Sequence, residues 1–413
     1  MIDSGSTAWM LTSSALVLLM VPGLALFYGG MVRRKNVLST MMMSFVAMAV
    51  IGVQWVLVGY ALAFGKSSLG GFVGWDWELF ALQGIEPTTL FADKAIPELV
   101  FVMFQGKFAI ITPALISGAV AERMKFRSYI AFTLIWVTLV YCPLAHWVWA
   151  SDGWLFERGV LDFAGGTVVH VAAGVSALVL ALMMGPRRDF ARGAALLPNN
   201  LVLTLTGAGL LWFGWFGFNA GSSVAVESPV AGAIAGLAFT TTQSAAAAAG
   251  LSWMMVERWH HGKVTSLGLA SGIVAGLVAV TPAAGHIKPW AALVLGALAS
   301  VVCYAAVQLK NRLGYDDSLD AFGVHGVGGM LGALVTGLFC FTPVKGLFTG
   351  GGPGQLGKQA LGVAVAIVFA GGGTFVIASV LKRVMGLRTT DQEERDGLDI
   401  HVHGERGYHF DQT

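Results

Sequence analysis

The stretch GGTVVHVAAGVSALVLALMMG, residues 165–185, decides the fold class. It holds no aspartate, glutamate, lysine or arginine, and it has the length of roughly 20 apolar residues that a helix needs to cross a bilayer. His170 lies within it. Because an ionisable side chain at membrane depth is costly and normally faces a bundle interior or a pathway, the stretch predicts both a membrane-spanning helix and a functional position.

The composition of the whole chain extends this prediction. The mean hydropathy is +0.72, 56% of the 413 residues are hydrophobic, and only 12% are charged. A soluble chain of this length needs far more polar surface, so the sequence indicates a protein that crosses the membrane many times. The formal net charge of +2 gives no indication of nucleic-acid binding.

Apolar stretches of similar length recur along the chain and predict an all-α polytopic membrane protein with eleven transmembrane helices. They fall at 6–32, 38–65, 95–121, 128–149, 165–185, 198–218, 228–250, 264–281, 288–309, 322–341 and 358–384. The 55 glycines are concentrated inside these stretches, where small residues let helices pack closely in lipid. We expect one transmembrane domain, residues 1–384, and a polar tail, residues 385–413.

Basic residues predict the orientation, because they are concentrated in every second loop. That set includes Arg33, Arg34, Lys35, Arg123, Lys125, Arg127, Arg187, Arg188, Arg192 and the basic residues of the tail. By the positive-inside rule the N-terminus is outside and the C-terminus is cytoplasmic. The first stretch has no basic segment before it, so we interpret it as a retained helix rather than a signal peptide.

A second histidine lies in similar surroundings. His325 belongs to FGVHG in the tenth stretch, as His170 belongs to GGTVVH in the fifth, and Asp320 and Asp162 precede them. This weak similarity suggests that stretches one to five and six to ten are repeats, with the eleventh added. Because five is odd, the second copy would be inverted, and transporter sites lie at such repeat interfaces.

Several function classes lack their sequence signals. The chain has no phosphate-binding loop, dinucleotide fingerprint or nucleophile elbow, so we expect neither ATP hydrolysis nor an enzyme. Cys142, Cys303 and Cys340 form no disulfide or zinc pattern, and no cofactor or metal is expected. One alternative stays open, because two histidines from two helices are also the ligands of a b-type haem.

Motifs along the whole chain permit a family assignment. They are GLALFYGGMVRRKNVL at 23–38, FQG at 104–106, GAVAERMKF at 118–126, AHWVW at 145–149, DFAGGTVVH at 162–170, GWFGFNAGS at 214–222, GLVAVTPAAG at 276–285, DAFGVHGVGG at 320–329 and EERDGLD at 393–399. In this order they closely resemble the ammonium transporter (Amt) family, and FGVHG favours the Amt branch over Rhesus proteins.

The resemblance implies a set of site residues. An outer vestibule would recruit ammonium at Phe104, Trp149 and Ser222, with Asp162 as its structural support. Phe104 and Phe218 would form a gate. His170, His325 and Trp215 would line the pore below it.

The resemblance also implies a mechanism and partners. Ammonium would lose its proton near the gate and ammonia would pass along the imidazoles, because a bare ion is costly to desolvate. Relatives are homotrimers in the cell inner (plasma) membrane, and their tails help to receive a PII signal protein. The alternative function is an ammonium sensor that conducts little or nothing.

Each assignment has a simpler alternative. A single buried histidine is more often a satisfied core residue, and Trp149, Phe104 and Phe218 alone would be interface or core aromatics. Asp162 equally fits an N-terminal helix cap. The tail would be a solvated terminus by composition alone, and its HVHGERGYH segment, 401–409, is only weak evidence for metal binding.

Lys107 departs from the family pattern, which has a small or uncharged residue after FQG. It lies three positions after Phe104 and therefore on a similar helix face. Its ammonium group could extend towards the interface, pair with Asp162 or Glu227, face another subunit, or slow the pore. We therefore note Lys107 as a candidate modulator.

Overall fold

The computed structural model describes residues 1–193 and 196–408, and its backbone is mainly helical. Sixteen α-helices are assigned in these residues. They are α1 (Ser4–Met31), α2 (Val37–Gln54), α3 (Tyr60–Phe64), α4 (Glu98–Val120), α5 (Phe126–Trp136), α6 (Cys142–Trp149), α7 (Trp154–Glu157), α8 (Ala172–Met184), α9 (Arg188–Ala191), α10 (Leu201–Ala220), α11 (Pro229–His261), α12 (Ser266–Val280), α13 (Pro289–Leu313), α14 (Val327–Phe339), α15 (Gly354–Val384) and α16 (Asp391–Asp396).

Shorter elements join or interrupt these helices. One antiparallel hairpin pairs β1 (Ser67–Ser68) with β2 (Val73–Gly74). Turns of 3-10 helix cover Arg34–Asn36, Trp77–Leu82, Gly221–Ser223 and Leu347–Thr349. Turns of π-helix cover Trp55–Gly59, Val137–Tyr141, Gly166–Val171, Phe322–Gly326 and Asp399–His403. Several helices are therefore continuous across a π turn.

Each of the eleven predicted stretches is largely helical. Within the described part of the chain, nine helices are long and apolar enough to cross a membrane. The other two are α12, which has only 15 residues, and α11, which has 33 residues but is rich in alanine, threonine and serine. Length and composition thus establish a multi-pass helical protein, while the count of eleven spans stays a prediction.

Glycine sets the distance between helices at several crossings. A Cβ on Gly207 would lie 2.3 Å from the Phe27 nitrogen of α1, and one on Gly296 would lie 2.2 Å from the Ala245 carbonyl oxygen. Such contacts allow only glycine, so α10 packs directly on α1 and α13 on α11.

Helix ends follow ordinary capping chemistry. Asn200 Oδ1 accepts hydrogen bonds from the second and third residues of α10, and Ser228 and Thr265 cap α11 and α12 in the same way. Gly262 and Gly314 end α11 and α13 with φ of 75° and 74°, a left-handed conformation that favours glycine.

The two ends of the bundle differ in what they carry. The tail end holds residues 32–36, 121–125, 185–189 and 385–403, and the opposite end, called the Trp149 end, holds Trp149, Asp162 and Ser222. The described tail packs on the bundle. Asp399 accepts hydrogen bonds from the backbone nitrogens of Leu38 and Ser39 at 3.1 and 2.8 Å, which caps the start of α2.

Candidate functional site

Both histidines lie in π-helical turns, Gly166–Val171 for His170 and Phe322–Gly326 for His325. A π turn adds a residue to one helical turn and is frequent at functional sites, because it changes the direction of the side chains that follow. Helix α8 continues directly from the first π turn, and helix α14 continues directly from the second.

Aspartate side chains hold the start of each turn. Both carboxylate oxygens of Asp162 accept hydrogen bonds, at 2.6 to 3.0 Å, from the backbone nitrogens of four residues, 165–168. Asp317 accepts from the nitrogens of Ala321 and Phe322 at 3.0 and 2.7 Å. The interpretation of Asp162 as a helix cap is therefore confirmed.

The residue equivalent to Asp162 is Asp317, not the predicted Asp320. Asp317 and Asp162 are each followed by their histidine at the same spacing. Asp320 instead occupies the position of Gly165, and both of these residues have positive φ, 60° and 104°. The prediction paired Asp162 with Asp320 because Asp320 is close to FGVHG. The correct alignment of the two segments pairs Asp162 with Asp317.

The two imidazoles are in direct contact inside the protein. Their Nδ1 atoms are 3.3 Å apart, and their ring planes differ by 15°. Glycine permits this approach, because a Cβ on Gly174 would lie 2.1 Å from the Gly326 nitrogen. If both rings are neutral, one Nδ1 donates and the other accepts. The Nε2 atom of His170 has no hydrogen-bond partner in the described part of the chain.

This contact argues against haem. Two axial histidines bind the iron from opposite faces of the flat macrocycle, which therefore lies between them. Here the two Nδ1 atoms are at hydrogen-bond distance from each other, 3.3 Å, which leaves no room for it. Among residues 1–193 and 196–408, no group of three histidine, cysteine or acidic side chains could hold a metal ion. His409 of the HVHGERGYH segment lies outside these residues, as does the rest of the tail to residue 413.

Aromatic rings continue from the histidine pair towards the Trp149 end. Trp215 stacks on His170 with ring centres 5.4 Å apart, and its Nε1 donates to Thr281 Oγ1 at 2.9 Å. Phe218 lies 6.1 Å from the His170 ring. The structure thus brings together four of the residues that the sequence assigned to the pore and gate, namely His170, His325, Trp215 and Phe218.

The ring that stacks on Phe218 is Phe108, which the sequence analysis did not select. Their centres are 4.1 Å apart with planes 24° from parallel. Phe104, the residue predicted to pair with Phe218, contacts Phe108 edge-on at 4.9 Å, and no ring contact joins it to Phe218 among the described residues. Phe108 follows Phe104 by one helical turn, so the two rings lie on the same face of α4.

A narrow apolar cavity lies between these rings. Besides the two histidines, Trp215 and Phe218, its walls are Met20, Leu24, Phe27, Ile111, Leu115, Leu211 and Val274. Its free volume for the centre of a water-sized molecule is about 10 Å³, close to the room that one such molecule needs. The cavity therefore has room for about one small molecule, and its mainly apolar walls favour a neutral one over an ion.

Trp149 and Ser222 lie at the outer edge of this aromatic group, half-buried. The Trp149 ring is 6.0 Å from Phe108 and perpendicular to it, and its Nε1 donates to the Asp162 carbonyl at 2.9 Å. Ser222 Oγ donates to the Phe218 carbonyl at 2.9 Å, which leaves its lone pairs free to accept. Burial raises the pKa of Asp162 to about 6, although its four backbone donors lower it.

Lys107 is half-buried, and the described residues offer it no ion pair or hydrogen bond. The two predicted partners are engaged elsewhere. Asp162 holds the π turn, and Glu227 accepts from Ser6 Oγ at 3.0 Å. A role for Lys107 stays a prediction.

The tail end carries a buried ion network below the histidines. Arg187 joins Asp316 at 2.8 Å and Glu122 at 3.0 Å, and Arg33 joins Glu122 at 2.9 Å. Burial opposes ionisation of Glu122, but Arg187 and Arg33 hold its pKa below the ordinary value. Burial likewise opposes ionisation of Asp316, and Arg187 and Arg123 lower its pKa.

Comparisons with known proteins agree on one family. The sequence profile of the Ammonium Transporter Family matches residues 8–408. An ammonium transporter of Mycobacterium tuberculosis is 48% identical over 99% of this chain and 91% of its own length. The crystal structure of Candida albicans Mep2 has a TM-score of 0.87 at 34% identity, over 95% of this chain and 88% of that one.

A structure described as a sensor Amt protein is also similar, with a TM-score of 0.88 at 32% identity, over 96% of this chain and 98% of that one. The profile, the relatives and the shared fold lead to a single conclusion. The chain is a multi-pass transport protein that belongs to the ammonium transporter family.

Proposed function

We propose that the chain moves ammonium nitrogen across a membrane by binding ammonium at the Trp149 end, removing a proton near Phe108 and Phe218, and passing ammonia along His170 and His325. The observation that carries this proposal is the histidine pair, whose rings are in contact and line an apolar cavity with room for about one small molecule.

Recruitment rests on the aromatic faces at the Trp149 end. A cation over a tryptophan or phenylalanine face gains about 0.5–2 kcal/mol, depending on how far it is desolvated. Ser222 Oγ adds an acceptor for one N–H bond, and its own proton is already donated to the Phe218 carbonyl. These groups favour a small cation with N–H donors over a metal ion that requires several oxygen ligands.

The stacked pair of Phe108 and Phe218 excludes the hydrated ion, so ammonium gives its proton to water at the Trp149 end and only ammonia passes the rings. A net current arises when this proton also crosses the membrane, separately from ammonia. Beyond this pair the lining is apolar, and an intact ion that enters loses its hydration without a charged partner. Ammonia avoids that cost, because it is neutral and both donates and accepts hydrogen bonds. The Phe108–Phe218 gate therefore replaces the predicted Phe104–Phe218 gate in this proposal.

The histidines supply polar contacts that the rest of the cavity lacks. A neutral imidazole has one donor and one acceptor nitrogen, so the pair can bond to each other and still present a nitrogen to ammonia. The unpartnered Nε2 of His170 is such a nitrogen. Trp215 stacks on the opposite side and fixes the ring plane.

We also propose a membrane topology and partners for the chain. The matching Asp162 and Asp317 turns support two inverted repeats of five spans and an eleventh helix. The basic loops support an outside N-terminus, so the Trp149 end faces outward and the tail end is cytoplasmic. The family resemblance supports a homotrimer in the cell inner membrane, and the docked tail is the surface that a PII signal protein would contact.

Electrophysiology on a solid-supported membrane tests the proposal. Proteoliposomes should give a saturable current when pulsed with ammonium and none when pulsed with sodium, and empty liposomes should give neither. A pH dye inside the vesicles separates two modes, because transport of ammonia alone raises the internal pH without current. Binding of ammonium with neither signal would instead indicate a sensor.

A further inference from the structure

Gln359 of α15 makes three hydrogen bonds to the backbone although only 1% of its surface is exposed. Its Oε1 accepts from the Leu161 nitrogen at 2.7 Å, and its Nε2 donates to the Leu161 carbonyl at 2.7 Å and to the Ala333 carbonyl at 3.2 Å. The amide thus pairs with both backbone groups of one residue and with a second helix.

These partners lie next to the two histidine-bearing segments. Leu161 precedes Asp162, whose carboxylate holds the π turn of His170 and whose carbonyl accepts from Trp149. Ala333 belongs to α14, which continues from the π turn of His325. One side chain therefore connects the loop that supports the first histidine with the helix that carries the second.

A neighbouring amide supports Gln359. Gln355, one turn earlier on α15, donates to the Gly159 carbonyl at 2.9 Å and to Gln359 Oε1 at 3.3 Å. The two glutamines hold residues 159–161 against α15. Neither residue lines the histidine cavity.

We infer that Gln359 is a positioning residue for transport, which fixes the Asp162 loop against α14 and so sets the alignment of His170 with His325. The inference rests on the proposed function for its effect on transport, while the positioning itself is a property of the fold. A buried amide can do this because leaving its three backbone partners unpaired is costly.

The test compares Gln359→Met with Thr374→Val. Methionine has a similar volume but makes none of the three bonds. Thr374 lies on the same helix, is fully buried, and bonds to Ser176 Oγ and Trp136 Nε1, so its replacement controls for the loss of any buried hydrogen bond in α15. Hydrogen exchange of the amides of residues 165–168 is the first measurement.

We expect Gln359→Met to speed exchange at these four amides about tenfold, the effect of losing roughly one buried hydrogen bond, and Thr374→Val to leave them unchanged. In proteoliposomes the ammonium concentration for half-maximal current should change in Gln359→Met alone. A smaller amount of folded protein would lower the maximal current but would not change this concentration.

Unchanged exchange at residues 165–168, or the same exchange in both variants, would overturn the inference. If the parent gave no ammonium signal, the proposed function would fail, but the exchange result would still decide the positioning role. If Gln359→Met does not fold, Gln355→Met replaces it. A smaller acceleration at the same amides then supports the inference, and none contradicts it.

Discussion

The two histidine segments, 162–170 and 317–325, have the same backbone design in different surroundings. Each begins with an aspartate that accepts backbone N–H bonds, passes through a residue with positive φ, and carries its histidine in a π turn. The first segment lies among aromatic rings at the Trp149 end. The second lies above the ion network of Arg187, Glu122 and Asp316.

The two segments therefore share a backbone geometry but differ in the chemistry of their surroundings. The shared turn places the two imidazoles against each other, while the surroundings decide what can approach them. Aromatic faces at one end suit a cation that is about to lose its water. At the other end, Arg187 and Arg33 pair with the buried carboxylates of Glu122 and Asp316, and the tail packs nearby.

The largest expected effect tests the two aspartates against each other. Asp162→Ala leaves four buried N–H groups without an acceptor, and Asp317→Ala leaves two. At about 1 kcal/mol or more for each group, the free energy of unfolding should fall by at least about 4 and about 2 kcal/mol. Denaturant titrations of both variants measure it. Equal losses would contradict the comparison.

The ion network gives the next effect. Arg187→Met removes one partner of two buried carboxylates, which typically costs about 3–5 kcal/mol. Because the folded pKa values of Glu122 and Asp316 are depressed, the parent gains their stabilisation above the unfolded values of 4.5 and 3.8 and loses it as the pH falls through the lower folded values. Without Arg187 both folded pKa values move up towards the unfolded ones, so melting temperatures from pH 7 to 3 should fall less in the variant than in the parent, and the gap between the two should narrow at low pH.

The aromatic end yields a comparison within one helix. Phe108→Ala removes the ring stacked on Phe218, and Phe104→Ala removes a ring that contacts Phe108 alone among the pathway rings. We expect the ammonium current to change at least about tenfold more in Phe108→Ala, in line with the loss of one gating contact worth about 1.4 kcal/mol. A larger effect at Phe104 would restore the gate predicted from the sequence.

The sequence was sufficient for the helical membrane fold and for selecting four residues that the structure brings together. Long apolar stretches predicted the helices, and His170, His325, Trp215 and Phe218 do meet around one cavity. The choice between Phe104 and Phe108 could not be made, since they are one turn apart on the same helix and only the packing of α4 within the bundle decides which ring meets Phe218.

The alignment of the two histidine segments could have been predicted from the sequence, but it was not. Asp162 and Asp317 precede their histidines at equal spacing, so a count would have selected Asp317 over Asp320. The role of Gln359 was not available, because its partners are distant in sequence and a single glutamine in an apolar helix carries no pattern. Its hydrogen bonds depend on long-range packing, which the periodicity of the sequence does not predict.

The smallest expected effect concerns Lys107. Lys107 has no ion pair among the described residues, and no ring contact found there joins it to the pathway rings. Lys107→Ser should therefore keep the ammonium current within about twofold of the parent, since its side chain can extend away from the pathway. Currents normalised to the amount of folded protein measure it. A large gain would instead identify Lys107 as a brake on the pore.

The central claim is that His170 and His325 form the path for ammonia, and one recording tests it directly. Currents evoked by ammonium and by potassium are compared in proteoliposomes of the parent, His170→Ala and His325→Ala. The account predicts that the ammonium current divided by the potassium current falls at least about tenfold in each variant. Without one imidazole the contact between the rings is lost, and the cavity can then admit water and a hydrated ion. An unchanged ratio in either variant would contradict it.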